Sequence, residues 1–500
     1  MSIYRPEMKV NPSQLVTTGT PSATTYLAGD GEYRTIDTSF PSTWYWADTS
    51  FYAKAVSVAA DRYTLLSPNA MQIDIGGSSY TLSTQVSIDL STAANWDDYA
   101  DDGDWDSTNY TTAANRAGKD FYVFAVTPLS GTAPRFLLSA NSTTPLGGYD
   151  EDTSRKVGGF HCLCSSMSTP GTRANSTAYV IGSTILSGSY WYRSTCNKAW
   201  VASTAFSSGD LVFGGSNVYE CTTAGTSAAS VPTWPGSGTV TDGGAVWTFR
   251  GASGASLTSG GSAPTFGTTL DGFTRDGSVQ WLCEPIHPAS GYVTGDIIPN
   301  SVWDLKFRSS SGNNAGLAYV DKLDKWLFIY LQSGEGASTA SVYNGTIKDT
   351  RTWFNHVDDL SNMKCLLLDD QEFQVAAEGS NQATNITGSS DPVTTGGHTD
   401  TAGRRMISHY FIEDCCGATW QWIRDQCYQT GSGSTGWKDV VGSSKGQVYL
   451  MADNAHIKVR AGGTWYNGVY SGSRARAFNG VGWILSADLG ARGSCGSIKK

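Results

Sequence analysis

Residues 462–495 read GGTWYNGVYSGSRARAFNGVGWILSADLGARGSC and are the most informative stretch of the chain. Tyr466 and Tyr470 are four residues apart, and their neighbours are mostly Gly, Asn, Ser and Asp. Rigid amphipathic rings among small polar residues are typical of binding loops. The alternative interpretation is an ordinary glycine-rich end of a β domain. If the tyrosines do form a contact surface, the larger residues between them would hold it in place: Trp465, Arg474, Phe478, Trp483 and Arg492.

The composition of the whole chain favours a β-rich protein that works outside the cell. The chain has 500 residues, of which only 16% are charged, and it carries 57 Gly, 17 Trp, 24 Tyr and 17 Phe. A net charge of -10 argues against binding to a nucleic-acid backbone. The aromatic content is too high for a disordered chain.

The N-terminus MSIYRPEMKVNPSQ has no basic stretch followed by an apolar one, so we expect no secretory signal. Apolar runs such as 366–368 are only a few residues long, and we therefore expect no membrane insertion. A protein with the composition of an extracellular protein but no secretory signal could be made in a host cytoplasm and leave it as part of a virion.

Several segments have the pattern of regular structure. Alternation over 80–90 predicts a half-buried strand, and FYVFAV (121–126), WDLKFR (303–308) and WLFIYL (326–331) read as further strands. A helix is expected around Phe373 within 363–379. The acidic stretch 96–106 does not have the spacing of an EF-hand calcium loop, and a solvated loop is the preferred interpretation.

Residues 166–290 contain an internal duplication. In both copies an Asp-Gly pair is followed by a Trp five residues after the Asp: Asp242 with Trp247, and Asp276 with Trp281. Asp-Gly before an aromatic segment predicts a β-hairpin. The segment resembles small aromatic modules of phage tails and glycan-degrading enzymes. Its aromatic residues could form a sugar-stacking platform, or they could be the core of a small domain: Trp200, Tyr219, Trp234 and Trp247.

The ten cysteines are too sparse for a disulfide scaffold and lack the paired spacing of a zinc site. Small buried hydrophobic residues are the preferred interpretation, and Cys196 with Cys221 is the pair to test for a bridge. Six scattered histidines suggest no metal site.

A set of segments in one order resembles the major tropism determinant family of tailed phages, which are receptor-binding proteins at fibre tips. The resemblance covers roughly 51–165 and 293–496 and rests on these segments: TSRKVGGFH (153–161), WDLKFR, WLFIYL, QEF (371–373), DPVTTGG (391–397), CGATWQW (416–422), GGTW (462–465), SGSRA (471–475) and GARGSC (490–495).

The resemblance implies a mainly β fold with a few helices (α+β) and a trimer that is attached to a phage tail fibre. The expected division is a tail-attachment and trimerisation segment over 1–50, a β domain over 51–152, and a C-type lectin domain over 153–500 interrupted by the inserted β-module 166–290. The resemblance also implies that a host-surface receptor, protein or glycan, is bound by the C-terminal residues of the lectin domain.

In this family, adenine-directed copying by a diversity-generating retroelement rewrites selected C-terminal codons. The positions carried over are Thr464, Tyr466, Gly468, Tyr470, Ala477, Asn479, Gly480, Ile484, Ser486, Asp488 and Leu489. Mutating the adenines of an AAC codon never yields Lys, Glu, Gln, Met or Trp, and none of these stands at the eleven positions. Trp465, Arg474, Trp483 and Arg492 are expected to be the scaffold.

The expected function is therefore a phage adhesin in the virion, at the tip of the tail fibre, with no catalytic residues and no cofactor or metal. The calcium-dependent sugar triplets of C-type lectins, E-P-N, Q-P-D and W-N-D, do not occur in the sequence. The alternative is a structural decoration protein whose inserted module binds carbohydrate and whose C-terminal surface does not vary.

Overall fold

The computed structural model describes the short strands Thr25–Leu27, Tyr33–Thr35 and Tyr52–Ala53, then residues 62–67 and 71–499. Within 71–499 it leaves out 102, 106, 132, 253–255, 430–434, 439–445 and 451–454. The described residues are mainly β, with three α-helices, so the predicted fold class is confirmed. None of the described helices has the length and apolarity to span a bilayer. Most of the predicted segment 1–50 lies outside the described residues.

The N-terminal β region is built on a four-stranded antiparallel sheet. Its strands, in spatial order, are Trp303–Asp304, Ser154–His161, Asp120–Val126 and Arg135–Ser139. The predicted strand at 121–126 is therefore present. Smaller elements complete the region: Tyr52–Ala53, Thr64–Leu66 and Ser87–Asp89 form one sheet, Met71–Ile75 and Ser78–Leu82 form a hairpin, and α1 spans Ala113–Arg116.

The single strand predicted over 80–90 is wrong, because the chain leaves one sheet after Leu82 and joins another at Ser87. The alternation itself is correct, since Leu82, Ile88 and Leu90 are all buried in one core around Trp96. The acidic stretch is also not fully solvated. Asp97 and Asp98 are buried and accept hydrogen bonds from Leu146 N (2.6 Å) and Ser107 N (3.0 Å), which closes the loop.

The inserted module contains two four-stranded antiparallel sheets, and the predicted hairpins are confirmed in both. One sheet orders Leu211–Gly214, Asn217–Thr223, Ala245–Ala252 and Thr239–Asp242; the other orders Thr184–Ser187, Tyr190–Ser194, Val279–Pro285 and Phe273–Asp276. Two small sheets complete the module: Ala178–Val180 with Ser256–Thr258, and Ala205–Phe206 with Gly225–Thr226.

The duplicated Asp-Gly and Trp spacing has a structural cause. In each hairpin the Asp carboxylate accepts a hydrogen bond from the indole of the Trp five residues later, at 3.1 Å for Asp242 and Trp247 and 3.0 Å for Asp276 and Trp281. The intervening Gly243 has φ of 61°, a left-handed conformation that favours glycine. The repeat therefore encodes a turn together with the acceptor that a buried indole needs.

The C-terminal part has two sheets and two helices. One sheet contains Phe307–Ser309, Gly493–Lys499, Lys325–Phe328 and Leu317–Val320, with Leu366–Leu367 paired to its second strand. The other orders Gly436–Lys438, Val448–Leu450, Gly472–Gly480, Ala455–Gly462, Trp420–Gln429 and Leu489–Ala491. The strands Phe307–Ser309 and Gly493–Lys499, from the beginning and the end of this part, are thus neighbours.

The two helices of this part begin at capping boxes. In α3 (Asp370–Ala376) the carboxylate of Asp369 accepts from the backbone N–H of Glu372 at 2.7 Å, so the predicted helix is real but shorter than expected. The sequence analysis missed α2 (Trp353–Asn362), which Thr352 caps in the same way through Asn355. WDLKFR divides between two sheets, and WLFIYL contributes the strand that ends at Phe328.

Candidate functional site

A pocket of about 380 Å³ opens on the six-stranded sheet of the C-terminal part. We call it the tip pocket. Six of the eleven positions expected to vary line it: Tyr466, Ala477, Asn479, Ile484, Ser486 and Asp488. The rest of its lining consists of Trp420, Trp437, Tyr449, Arg460 and Asn467. The fold therefore brings residues spread over 23 positions of sequence, from 466 to 488, to one concave surface.

An aromatic wall forms one side of the tip pocket. The ring of Trp437 is stacked at 6.1 Å from Trp420, with an interplanar angle of 17°. It meets the edge of Tyr449 at 5.2 Å and is stacked on Tyr470 at 4.6 Å, with an interplanar angle of 8°. Stacked rings of this kind offer a large, rigid contact area at low entropic cost.

Two charged residues, Asp488 and Arg460, give the tip pocket its polarity. The Tyr466 hydroxyl donates a hydrogen bond to the Asp488 carboxylate. Burial, and then this neighbouring carboxylate, raise the pKa of Tyr466, so the phenol stays protonated. Arg460 donates to the Asn479 side chain, and its guanidinium carbon lies 5.6 Å from the Trp422 ring centroid. The pocket thus presents one anionic and one cationic group between apolar walls.

The remaining five expected positions lie outside the tip pocket. Thr464 and Leu489 are fully buried, which contradicts direct receptor contact at these two positions. The physical reason is pairing of the chain: Thr464 bridges to Ala418, and Leu489 pairs with Trp420. Gly480 is also buried, and a Cβ there would lie 2.9 Å from the Trp422 ring. Gly468 and Tyr470 occupy a short 3-10 helix that faces the inserted module.

Two of the four expected scaffold residues have that role. Trp465 is half-buried and packs against Ile386, Met406 and Ala418. Arg492 is buried and donates to three backbone carbonyls, those of Phe328 and Ile329 at 2.7 Å each and that of Glu413. Arg492 lies between the strands Leu489–Ala491 and Gly493–Lys499 and so joins this end of the chain to residues 328–329 and 413.

The scaffold role predicted for Arg474 and Trp483 is wrong. Arg474 is exposed, and the Trp483 side chain is 69% exposed. Arg476, two residues further on, is the buried arginine of this strand. It forms an ion pair with Asp370 at the start of α3 and donates to Ser473 O (2.9 Å) and Ala475 O (2.8 Å). Strict alternation would put Arg474 and Arg476 on the same face, but the pairing of this strand with Ala455–Gly462 shifts register between Gly472 and Arg476, so the two arginines have different environments.

The predicted sugar platform of the inserted module is wrong for two of its four residues. Tyr219 and Trp247 are 0% exposed and form the core of the module, so their rings cannot stack on a sugar. Trp200 and Trp234 are half-buried. With Trp437 and Tyr470 they line a cavity of about 250 Å³ between the inserted module and the wall of the tip pocket.

The thiols and imidazoles have structural environments. All ten cysteines are free, and Cys196 and Cys221 belong to different cores, so the bridge considered between them is wrong. Burial raises the pKa of Cys416 to about 11, which disfavours the thiolate that a nucleophile needs. His161 is buried between Asp120 and Tyr330, at 2.9 Å from each, and so supports the fold.

The part of the tip pocket formed by Trp420, Trp437, Tyr449 and Arg460 was not predicted from the sequence. Trp420 was visible as part of a motif, but nothing local marked Trp437, Tyr449 or Arg460 as part of a site. Tyr449 reaches it through parallel pairing with Ala477, and Arg460 through antiparallel pairing with the same residue. Such pairings between distant segments have no local signature in the sequence.

Comparisons with known proteins found one family model and several relatives that are similar to this chain. Residues 84–192 match the family model of the Mtd second domain. The chain is 26% identical over 230 residues to the "Tail fiber receptor-binding protein" of Bordetella phage BPP-1, a match that covers 41% of this chain and 58% of that protein. The chain thus spans under two thirds of the relative's length.

Two solved structures with similar chains are the U1 and P3c variants of the Major Tropism Determinant. They have TM-scores of 0.48 and 0.49 and sequence identities of 17% and 18%, and each comparison covers 91% of this chain and 85% of the other. Over the matched residues, this chain is therefore similar to the second domain of the major tropism determinant family and to the phage tail-fibre relative.

Proposed function

We propose that this chain is a phage receptor-binding protein that recognises a host-surface receptor through the tip pocket. The observation that carries the proposal is the convergence of six expected variable positions on one cavity of about 380 Å³. In this proposal the protein is made in the host cytoplasm and carried in the virion at the tip of the tail fibre, as the name of its tail-fibre relative suggests. The proposed receptor is a protein or a glycan of the host surface, since the pocket offers both aromatic and polar contacts.

The tip pocket combines two kinds of residue, and this combination supports a variable contact surface. Trp420 and Trp437 supply rigid area, and tryptophan is a residue that adenine-directed mutation of AAC cannot produce. Tyr466, Asn479, Ser486 and Asp488 supply the adaptable polar contacts that binding loops use. We propose that diversification by a retroelement acts on this second set and leaves the first set unchanged.

Exchange of the six pocket residues for another set that AAC mutation can reach tests the proposal. The expected result is altered adsorption to host cells while the purified protein stays folded and soluble. The matched control exchanges Thr464 and Leu489, which are buried and should affect folding rather than receptor choice. Unaltered adsorption after exchange of all six residues would contradict the proposal.

A homotrimer is part of the proposal, because linked weak sites gain about 10²- to 10⁴-fold in apparent affinity when several engage one surface. Sedimentation of the purified chain checks the trimer directly. Adsorption measured with the trimer and with a dissociated form then checks the avidity. Equal adsorption of the two forms would refute the role of multivalency.

The alternative, a structural decoration protein with a carbohydrate-binding inserted module, has less support. Its proposed platform loses Tyr219 and Trp247 to the core of the module. The proposal assigns this chain no catalytic role, and burial, which raises the pKa of Cys416 to about 11, disfavours a nucleophilic thiolate at that residue.

A further inference from the structure

A second cleft lies between the inserted module and the C-type lectin part, away from the tip pocket. Its volume is about 460 Å³. One side is formed by residues 165–170 with Tyr179, Ser183, Thr184 and Trp191, and the other by Thr399 and residues 402–405. None of these described lining residues is Asp or Glu, and seven of them are Ser or Thr. We call it the insert cleft.

Arg404 lines the insert cleft with unused hydrogen-bond donors. The residue is only 9% exposed, and its Nε and Nη2 atoms have no hydrogen-bond partner among the described residues. The nearest carboxylate, that of Asp400, lies 3.8 Å from Nε. Asp400 is already engaged by Thr384 Oγ1 at 2.8 Å and by the backbone N–H of Ala402 at 2.9 Å. A buried donor without an acceptor is costly and calls for a partner.

Two further groups point to the same kind of partner. The indole N–H of Trp191, which also lines the cleft, is buried and has no hydrogen-bond partner among the described residues. Behind the wall, Arg193 is fully buried and uses its Nε and Nη2 on Glu284, while its Nη1 has no partner. Burial lowers the pKa of Arg404; the carboxylate of Asp400 opposes this shift, whereas the positive charge of Arg193 adds to it. An anion in the cleft would relieve this repulsion.

The second arginine of the cleft is already committed. Arg405 donates to the Glu413 carboxylate at 2.6 Å and to the His398 carbonyl. The unused donors of the cleft are therefore those of Arg404 and Trp191. A planar guanidinium suits a carboxylate, and the surrounding Ser and Thr hydroxyls suit the hydroxyls of a sugar ring. The volume lies within the range of small-molecule sites.

We propose that the insert cleft binds a carboxylate-bearing sugar, with Arg404 and Trp191 donating to its carboxylate. The site does not depend on the tip pocket. It assigns to the inserted module a ligand-binding role that it performs jointly with the lectin part, in place of the aromatic platform expected from the sequence.

Calorimetric titration of the full-length protein with D-glucuronate, N-acetylneuraminate, D-glucose and inorganic phosphate tests this proposal. We expect binding of at least one acidic sugar, and no binding of glucose. Trp191→Phe keeps the ring but removes the N–H, so it should weaken acidic-sugar binding at least about tenfold. Trp326→Phe is the matched control, because its indole N–H is equally buried and unpartnered but lies in the C-terminal core.

Arg404→Lys is the second variant, since it keeps a positive charge beside Asp400 and loses the guanidinium fork. Failure of both acidic sugars to bind, glucose bound as tightly, or equal loss in Trp191→Phe and Trp326→Phe would overturn the proposal. Phosphate bound as tightly as the acidic sugars would also overturn it. A glucuronate-containing oligosaccharide then distinguishes two possible sources of the ligand. Tighter binding of the oligosaccharide than of the monosaccharide supports a unit of a surface polysaccharide, and equal binding supports a single free sugar.

Discussion

Replacement of Tyr466 by alanine should reduce adsorption to host cells strongly while leaving the fold intact. The Tyr466 side chain is 57% exposed at the mouth of the tip pocket, and its ring meets Trp465 edge-on at 5.5 Å. A tyrosine buries roughly 200 Å² when fully covered, so a receptor can still cover about 110 Å². At about 25 cal/mol per Å² this area is worth about 3 kcal/mol, or about a hundredfold in affinity per site.

Leu485 provides a matched control for this experiment. It is also 57% exposed and lies in the same segment, but it does not line the tip pocket. Leu485→Ala should therefore leave adsorption nearly unchanged. The free energy of unfolding of both variants should lie within about 0.5 kcal/mol of that of the parent, as expected for surface positions.

The assay is adsorption of the purified chain to host cells over a range of concentrations, with denaturant unfolding measured in parallel. Full adsorption by Tyr466→Ala would refute the reasoning, and so would an equal loss in Leu485→Ala. A loss of adsorption accompanied by a large fall in stability would place Tyr466 in the fold rather than in the contact surface.

Three further predictions concern folding. Arg492→Met should lower the free energy of unfolding by about 3 kcal/mol or more, because three buried carbonyls lose their donor. Arg474→Met should have little effect because Arg474 is exposed, and thermal unfolding compares the two variants. Trp247→Ala should lower the free energy of unfolding by about 3–5 kcal/mol because Trp247 is a core residue, whereas Trp483→Ala should lower it by about 0.5 kcal/mol or less because Trp483 is 69% exposed. Urea unfolding measures both variants, and equal losses would contradict the assigned burial. Burial lowers the pKa of His356 to about 4, so below about pH 6.5 the unfolded chain binds a proton that the folded chain does not bind. From pH 7 to pH 5 the free energy of unfolding of the parent should therefore fall by about 2 kcal/mol more than that of His356→Gln. Equal losses in the two proteins would refute this.

Local chemistry was readable from the sequence where neighbours in the chain are also neighbours in space. The two Asp-Gly hairpins were predicted, and their Trp partners five residues later are explained by hydrogen bonds within each hairpin. A helix around Phe373 was predicted as well from the pattern of residues within 363–379, and the structure shows it as α3.

Predictions about the direction in which a side chain points, and about how deeply it is buried, were less successful. The scaffold role was assigned to Arg474, whereas Arg476 is the buried arginine that bonds to Asp370 and to two backbone carbonyls. Tyr219 and Trp247 have the composition of a sugar platform but are buried in a core. Residue type alone does not distinguish an aromatic residue that packs inside a small domain from one that meets a ligand.

By itself the sequence determined the mainly β class, the family that the chain resembles and the segment that carries the expected contact residues, because motifs and turn residues act over short distances along the chain. Only the tertiary structure decided which contact residues share a surface. Six of the eleven meet at the tip pocket because strands from three separate segments pair there, while Thr464 and Leu489 are buried by their own strand contacts. The insert cleft likewise exists only because the tertiary structure brings Arg404 and Trp191, which are far apart in the chain, to the lining of one cavity at the boundary of the inserted module.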